Sequence, residues 1–116
     1  MTRKKETTDI EKQAILFSVL ADPTRLKLLN LLSQQQEPNA LCVNALAYQL
    51  GVTQSAISQH LRVLKSAGLV KGERRGYRIH YFVSQEGVFQ AQEQISCALP
   101  VKEKTDTGNS LGEARK

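Results

Sequence analysis

Gln54, Ser55, Ser58, Gln59, Arg62, Lys65 and Ser66 fall along one side of a helix, because successive residues step around the axis by about 100°. The set holds hydrogen-bond donors and positive charge, with no acid and no large apolar side chain. A helix surface that meets only solvent normally mixes Glu with Lys, since opposite charges at i, i+4 stabilise it. A surface meant for phosphates and base edges needs donors and cations instead. Further along, Arg74, Arg75 and Arg78 flank Gly76 and offer charge for phosphates or a minor groove. Cys42 and Cys97 are the remaining side chains with chemistry of their own, as soft-metal ligands or oxidisable thiols.

These residues must be positioned, and the pattern around them says how. Opposite the polar face, Ile57, Leu61 and Leu64 recur at i, i+4 and i+7 and form a stripe to be buried. Ahead of that helix, Val43–Leu50 makes a shorter one with Leu46 and Leu50 on its apolar side. Gly51 stops it, and Thr53 supplies the hydroxyl that caps the next helix. Position N3 is Ala56 and not Glu, so no capping box forms. Two short helices joined by a glycine-bearing turn read as a helix-turn-helix, whose second helix lies in the DNA major groove. The candidate DNA contacts are Gln54, Ser55, Ser58 and Gln59 near base edges, Arg62 and Lys65 on phosphates, the cap residue Thr53, and His60 at the edge of the buried stripe.

After Gly68, a helix C-cap, the period changes from 3.6 to 2. Residues 69–75 and 77–83 read as two strands turned at Gly76. A hairpin behind a recognition helix, with arginines at its tip, reads as the wing of a winged helix. A solvated hairpin whose basic edge blocks edge-to-edge pairing is the plainer alternative.

The rest of the chain supplies cover. Residues 1–8 are polar and expected to be disordered, and from Asp9 a helix carries Ile10, Ala14, Phe17 and Ala21 on one stripe, broadened by Ile15, Leu16, Val19 and Leu20. Asp22-Pro23 is a start signal for a second helix, which a polar loop at 34–39 ends. A last helix spans about 85–99 with Val88, Ala91, Ile95 and Leu99 on one side, and 100–116 reads as a disordered tail. The folded domain is thus residues 9–99, mainly α with a small β-hairpin. Its first and last helices expose more apolar surface than so small a core covers, which points to a homodimer built on them.

The chain has 116 residues, a net charge of +5 and a pI near 9.4. The surplus is local: the sums over residues 1–52, 53–83 and 84–116 are +1, +5 and −1. The positive charge therefore sits on the helix and hairpin already singled out, as expected for an anionic partner. No apolar run approaches the ~20 residues of a membrane span, and the N-terminus has no signal-peptide core. The expectation is a cytoplasmic protein, with no membrane partner and with both cysteines reduced. Nothing in the sequence suggests an enzyme. There is no Gly-rich phosphate loop and no nucleophile with a base beside it in sequence.

At the segments LADPTRLKLLNLL (20–32), LCVNALAYQLGVTQSAISQHLRVLKSAGLV (41–70) and RRGYRIHYFV (74–83), the chain resembles the ArsR/SmtB family of winged-helix repressors. The resemblance covers most of residues 14–90, in family order and spacing. It implies a dimeric winged helix-turn-helix that binds operator DNA, an imperfect inverted repeat, and is released when an effector binds or oxidises it. The family pattern S-x-x-S-x-H-L falls on Ser55, Ser58, His60 and Leu61, with His60 either positioning the helix or touching a phosphate.

The sensing motifs depart from the family. Arsenic- and cadmium-type members show Cys-Val-Cys where this chain has Cys42-Val43-Asn44, so Cys42 is the one metal or metalloid ligand that the resemblance assigns. The last helix has no His for the zinc-type site. Cys97 matches the last-helix thiol of persulfide and oxidant sensors, whose partner position is Asn30 here. Cys42 and Cys97 could form a rearranged dithiol, one could act alone, or both could be apolar filler.

The expected function is a DNA-binding transcriptional repressor that needs no cofactor, relieved by a metalloid, metal or thiol-reactive signal. A winged helix used only for protein contacts, or a repressor without cysteine-based sensing, are the alternatives.

Overall fold

In the computed structural model, which describes residues 2–35 and 41–102 and side chains from Asp9 onward, helices and strands follow the expected order with one addition. The elements are α1 (Thr2–Leu20), α2 (Pro23–Gln34), β1 (Leu41–Cys42), α3 (Val43–Leu50), α4 (Gln54–Ser66), β2 (Val70–Arg75), β3 (Arg78–Val83) and α5 (Gln85–Ala98). The addition is β1, which turns the expected hairpin into an antiparallel three-stranded sheet of order β1-β3-β2. Its pairs are Leu41 with Tyr81 and Cys42 with His80. A two-residue strand is too short to leave a periodic signal. Gln35 reinforces that edge: its side-chain oxygen accepts from the Leu41 N–H at 2.9 Å, and its amide N–H donates to the Tyr81 carbonyl.

α1 begins at Thr2 and not near Asp9, where the apolar pattern starts. Nothing in residues 2–8 breaks a helix, and Arg, Lys and Glu favour one, so the backbone continues past the last residue with anything to bury. The expected disorder of residues 1–8 is thus not what the backbone of 2–8 adopts. The proposed tail lies outside the described residues from position 103, as do positions 36–40 of the polar loop. Among the described residues no helix is long and apolar enough to cross a membrane.

Local rules set the helix ends. The Asp22 carboxylate accepts from the Arg25 N–H at 3.0 Å, and the Thr53 hydroxyl accepts from the Ala56 N–H at 3.0 Å, each satisfying an orphan donor. Gly51 closes α3 at φ 68°, and Gly68 follows α4 at φ 79°, in the left-handed region that costs other residues a clash. At the latter end Gly68 N–H reaches the Lys65 carbonyl at 2.9 Å and Leu69 N–H the Leu64 carbonyl at 3.0 Å. These two bonds make a Schellman motif, and the buried Leu64 and Leu69 supply its apolar contact.

The core lies where α2, α3 and α4 meet the sheet. Leu28, Leu46, Ile57 and Leu64 are 0% exposed there. Each such side chain contributes ~1.5–3 kcal/mol of hydrophobic stabilisation. α1 adds Leu16 and Val19 to this core, and not the stripe of Ile10 and Ala14. Ile10 and Ile15 are left 65% and 61% exposed, and Phe89 of α5 and its C-cap Leu99 are exposed as well. α5 packs on α1 and contributes only half-buried Val88, Ala91 and Ile95 to the core. Its N-terminus is pinned to the turn after α4. Ser84 N–H donates to the Leu69 carbonyl at 2.9 Å, and Gly87 lies directly against the Gly68 carbonyl.

Candidate nucleic-acid interface

α4 sorts its residues as the sequence requires. Gln54, Ser55, Ser58, Gln59, Arg62, Lys65 and Ser66 are all exposed, while Ile57, Leu61 and Leu64 are buried behind them. The buried stripe fixes the rotation of the helix, and the cap at Thr53 and the turn at Gly51 fix where it starts. An unbroken row of donors and two cations therefore projects from the domain. Lys65 stands in the last turn, where the helix dipole also favours a cation. Thr53 is exposed, with its oxygen engaged in the cap and its hydroxyl hydrogen left to donate.

His60 does not join this row. Its Nδ1 lies 3.3 Å from Arg25 Nη1 and 3.9 Å from the Asp22 carboxylate, at the junction of α1, α2 and α4. Arg25 also donates from Nε to the Val19 carbonyl at 2.6 Å and from Nη2 to the Ser18 carbonyl at 3.2 Å. It thereby satisfies the Val19 carbonyl that the last turn of α1 leaves open, and adds a second donor to the Ser18 carbonyl, which also accepts from the Ala21 N–H. The Asp22 carboxyl is held below its ordinary value, first by the Arg25 amide and, more weakly, by the Arg25 charge, against the opposing effect of burial. Arg25 was not visible as a site residue in the sequence, where Asp22-Pro23 signals only a helix start.

The wing divides its arginines. Arg74 and Arg78 are exposed on β2 and β3. Arg75 is held on the wing itself, its guanidinium 5.0 Å over the Phe82 ring and 3.0 Å from the Glu73 carboxylate. Part of its charge is therefore spent on Glu73, and Arg74 and Arg78 are the stronger phosphate candidates. Tyr77, expected in a strand, stands instead in the tip turn directly before Arg78 and is 89% exposed.

The two thiols are free and differently placed. Cys97 is exposed on α5. Cys42 ends β1 and caps α3, half-buried at a pocket of about 250 Å³ shared with Asn44, Arg78 and Tyr81. Its sulfur makes no cap hydrogen bond of full geometry. The Ala45 amide nevertheless holds the thiol below its ordinary range, aided by the Asn44 amide and the Arg78 charge and opposed by burial. Alkylation of Cys42 in a Cys97→Ser protein is accordingly expected to rise with pH at a midpoint below that of a free cysteine. Arg78→Gln should move the midpoint upward. Iodoacetamide rates across pH measure this, and a midpoint at the ordinary thiol value, indifferent to Arg78, would contradict it. Among the described residues no group of three or more His, Cys, Asp or Glu side chains is placed to hold a metal ion. Among those described residues Cys42 therefore has no ready-made set of coligands.

Residues 22–71 match the family model described as bacterial regulatory protein, arsR family. Over 86 residues the chain is 37% identical to a transcriptional repressor SmtB homolog of Synechocystis, spanning 74% of this chain and 62% of that protein. It is 38% identical over 78 residues to an uncharacterised HTH-type transcriptional regulator of Methanocaldococcus jannaschii, covering 67% of this chain and 84% of that one. Among solved structures, the homodimeric winged helix-turn-helix DNA-binding domain of a possible ArsR-family regulator from Mycobacterium bovis superposes with a TM-score of 0.64. The identity is 28%, and the match covers 89% of this chain and 94% of that fragment.

Proposed function

The chain belongs to the ArsR family of bacterial regulatory proteins, and from that premise we propose that it is a homodimeric, DNA-binding transcriptional repressor acting in the cytoplasm. The observation that carries this reading is the outer face of α4. Its exposed Gln, Ser, Arg and Lys side chains carry no acid, and the wing that follows completes a +5 segment. Each α4 enters a major groove with Gln54, Ser55, Ser58 and Gln59 near base edges. Arg62, Lys65, Arg74 and Arg78 hold phosphates. The apolar surface left on α1 and α5 supports the dimer, which presents two α4 helices to an imperfect inverted repeat with half-sites ~34 Å apart.

Release from the operator is assigned to Cys42. Its lowered thiol at the start of the helix-turn-helix supports a soft metalloid or a thiol-reactive sulfur or oxidant species as the signal. A modified sulfur at that junction bears directly on how α3 meets the sheet. DNA contact then changes because the two recognition helices no longer match successive grooves.

The test is a binding titration of the reduced protein on duplex DNA from its own upstream region across salt, beside Arg62→Ala/Lys65→Ala. The double variant is expected to weaken binding to every sequence and to lower the salt slope by about 2, one per phosphate contact. A duplex that does not bind at low salt would favour a winged helix reserved for protein contacts. Repeating the titration with arsenite or an organic persulfide, on wild type and Cys42→Ser, identifies the signal. Binding indifferent to both agents would mean a repressor with no cysteine-based sensing.

A further inference from the structure

One of the three polar contacts of the Arg25 guanidinium sets which ring nitrogen of a histidine on α4 carries the lone pair. A guanidinium has five N–H donors, no acceptor, and stays protonated. Where its Nη1 meets His60 Nδ1 at 3.3 Å, Nδ1 must therefore carry the lone pair. An imidazolium would set N–H against N–H there, and the Asp22 carboxylate at 3.9 Å is too distant to accept a hydrogen bond in compensation. In the neutral ring the proton therefore sits on Nε2. The ring is 22% exposed, and among the described residues Nε2 has no hydrogen-bond partner and is not buried. His60 follows Gln59 and precedes Arg62 on the helix that carries the phosphate and base contacts.

We propose that Arg25 is a positioning residue for DNA binding: it locks His60 as the Nε2–H tautomer, leaving that N–H as a fixed neutral donor to a backbone phosphate. The same guanidinium holds the Ser18 and Val19 carbonyls of α1, so one planar group ties the end of an exposed apolar helix to the recognition helix. The inference rests on the DNA-binding reading above.

The experiment uses the full chain and two readouts. Long-range 1H–15N NMR of His60 is expected to show the neutral Nε2–H form at neutral pH in wild type, and loss of that single form in Arg25→Lys, whose ammonium cannot span all three acceptors. In DNA titrations, His60→Gln places an amide N–H near the position of Nε2 and is expected to bind within a few-fold of wild type. His60→Asn reaches only as far as Nδ1 and is expected to bind about three- to tenfold more weakly, the worth of one hydrogen bond. Its salt slope should be unchanged, because a neutral donor releases no counterion. Thermal melts of the Gln and Asn forms separate this loss from unfolding. An Nδ1–H or doubly protonated ring in wild type, or equal binding by His60→Asn and wild type, would overturn the proposal while leaving the DNA reading intact. Wild type that binds no duplex at any salt overturns both.

Discussion

Gly87→Ala is expected to lower thermal stability sharply and to weaken DNA binding, although Gly87 is nowhere near the outer face of α4. A methyl group there would stand 1.7 Å from the Gly68 carbonyl oxygen and 2.8 Å from its carbon. Both are backbone atoms, so no rotamer change relieves the overlap. Either the start of α5 lifts away or the Schellman turn that ends α4 is displaced. Overpacking of this kind costs about 1–3 kcal/mol or more. In a domain of this size each kcal/mol lowers Tm by about 4–8 °C. Ser84, whose N–H holds the Leu69 carbonyl, sits in the same junction and would move with it. Melts at fixed protein concentration, paired with duplex titrations, read both effects. A Gly87→Ala protein with the Tm and affinity of wild type would mean that α5 does not bear on the end of the recognition helix.

Leu64→Ala should produce a different signature. Leu64 is 0% exposed, lies under the C-terminal half of α4, and its carbonyl accepts the Leu69 N–H. Truncation removes the contact on which that turn closes and leaves a cavity, at a cost of ~2–5 kcal/mol. Such a loss is a large part of the ~5–15 kcal/mol that holds a typical domain folded. The outer face of α4 is untouched, so protein that remains folded at low temperature should still bind its duplex with the salt slope of wild type. Urea unfolding gives the loss, and titration at low temperature tests the rest. A stable Leu64→Ala, or one that stays folded but loses the salt slope, would contradict the division of α4 into a core side and a DNA side. Arg62→Ala/Lys65→Ala is the converse variant, stable but with a reduced slope.

Much of this molecule follows from local rules that the residues obey wherever the rest of the chain goes. The 3.6 period of Ile57, Leu61 and Leu64, the hydroxyl at Thr53 and the glycines at 51 and 68 define the helix-turn-helix without reference to any other segment. The +5 balance of residues 53–83 belongs to the sequence as well, and with it the anionic partner. What needed the fold were relations between residues far apart. α1 is apolar over so much of its circumference that only its packing selects Leu16 and Val19 for the core and leaves Ile10 and Ile15 outside. β1 exists because Leu41 and Cys42 find β3, and two residues carry no period of their own. His60 is separated from Arg25 by 35 positions, and only the fold brings the two to 3.3 Å. Arg75 reads like its neighbours until Phe82 and Glu73 hold it. Gly87 looks like a weak point in a helix until the Gly68 carbonyl occupies the space of its missing side chain. The sequence by itself determined the helix-turn-helix, its exposed face and its charge, because periodicity, capping and composition act within a few residues. Tertiary structure alone decided which face of α1 is buried, how His60 and Arg75 are held and what surrounds Cys42, because each depends on which distant backbone or charge is brought alongside.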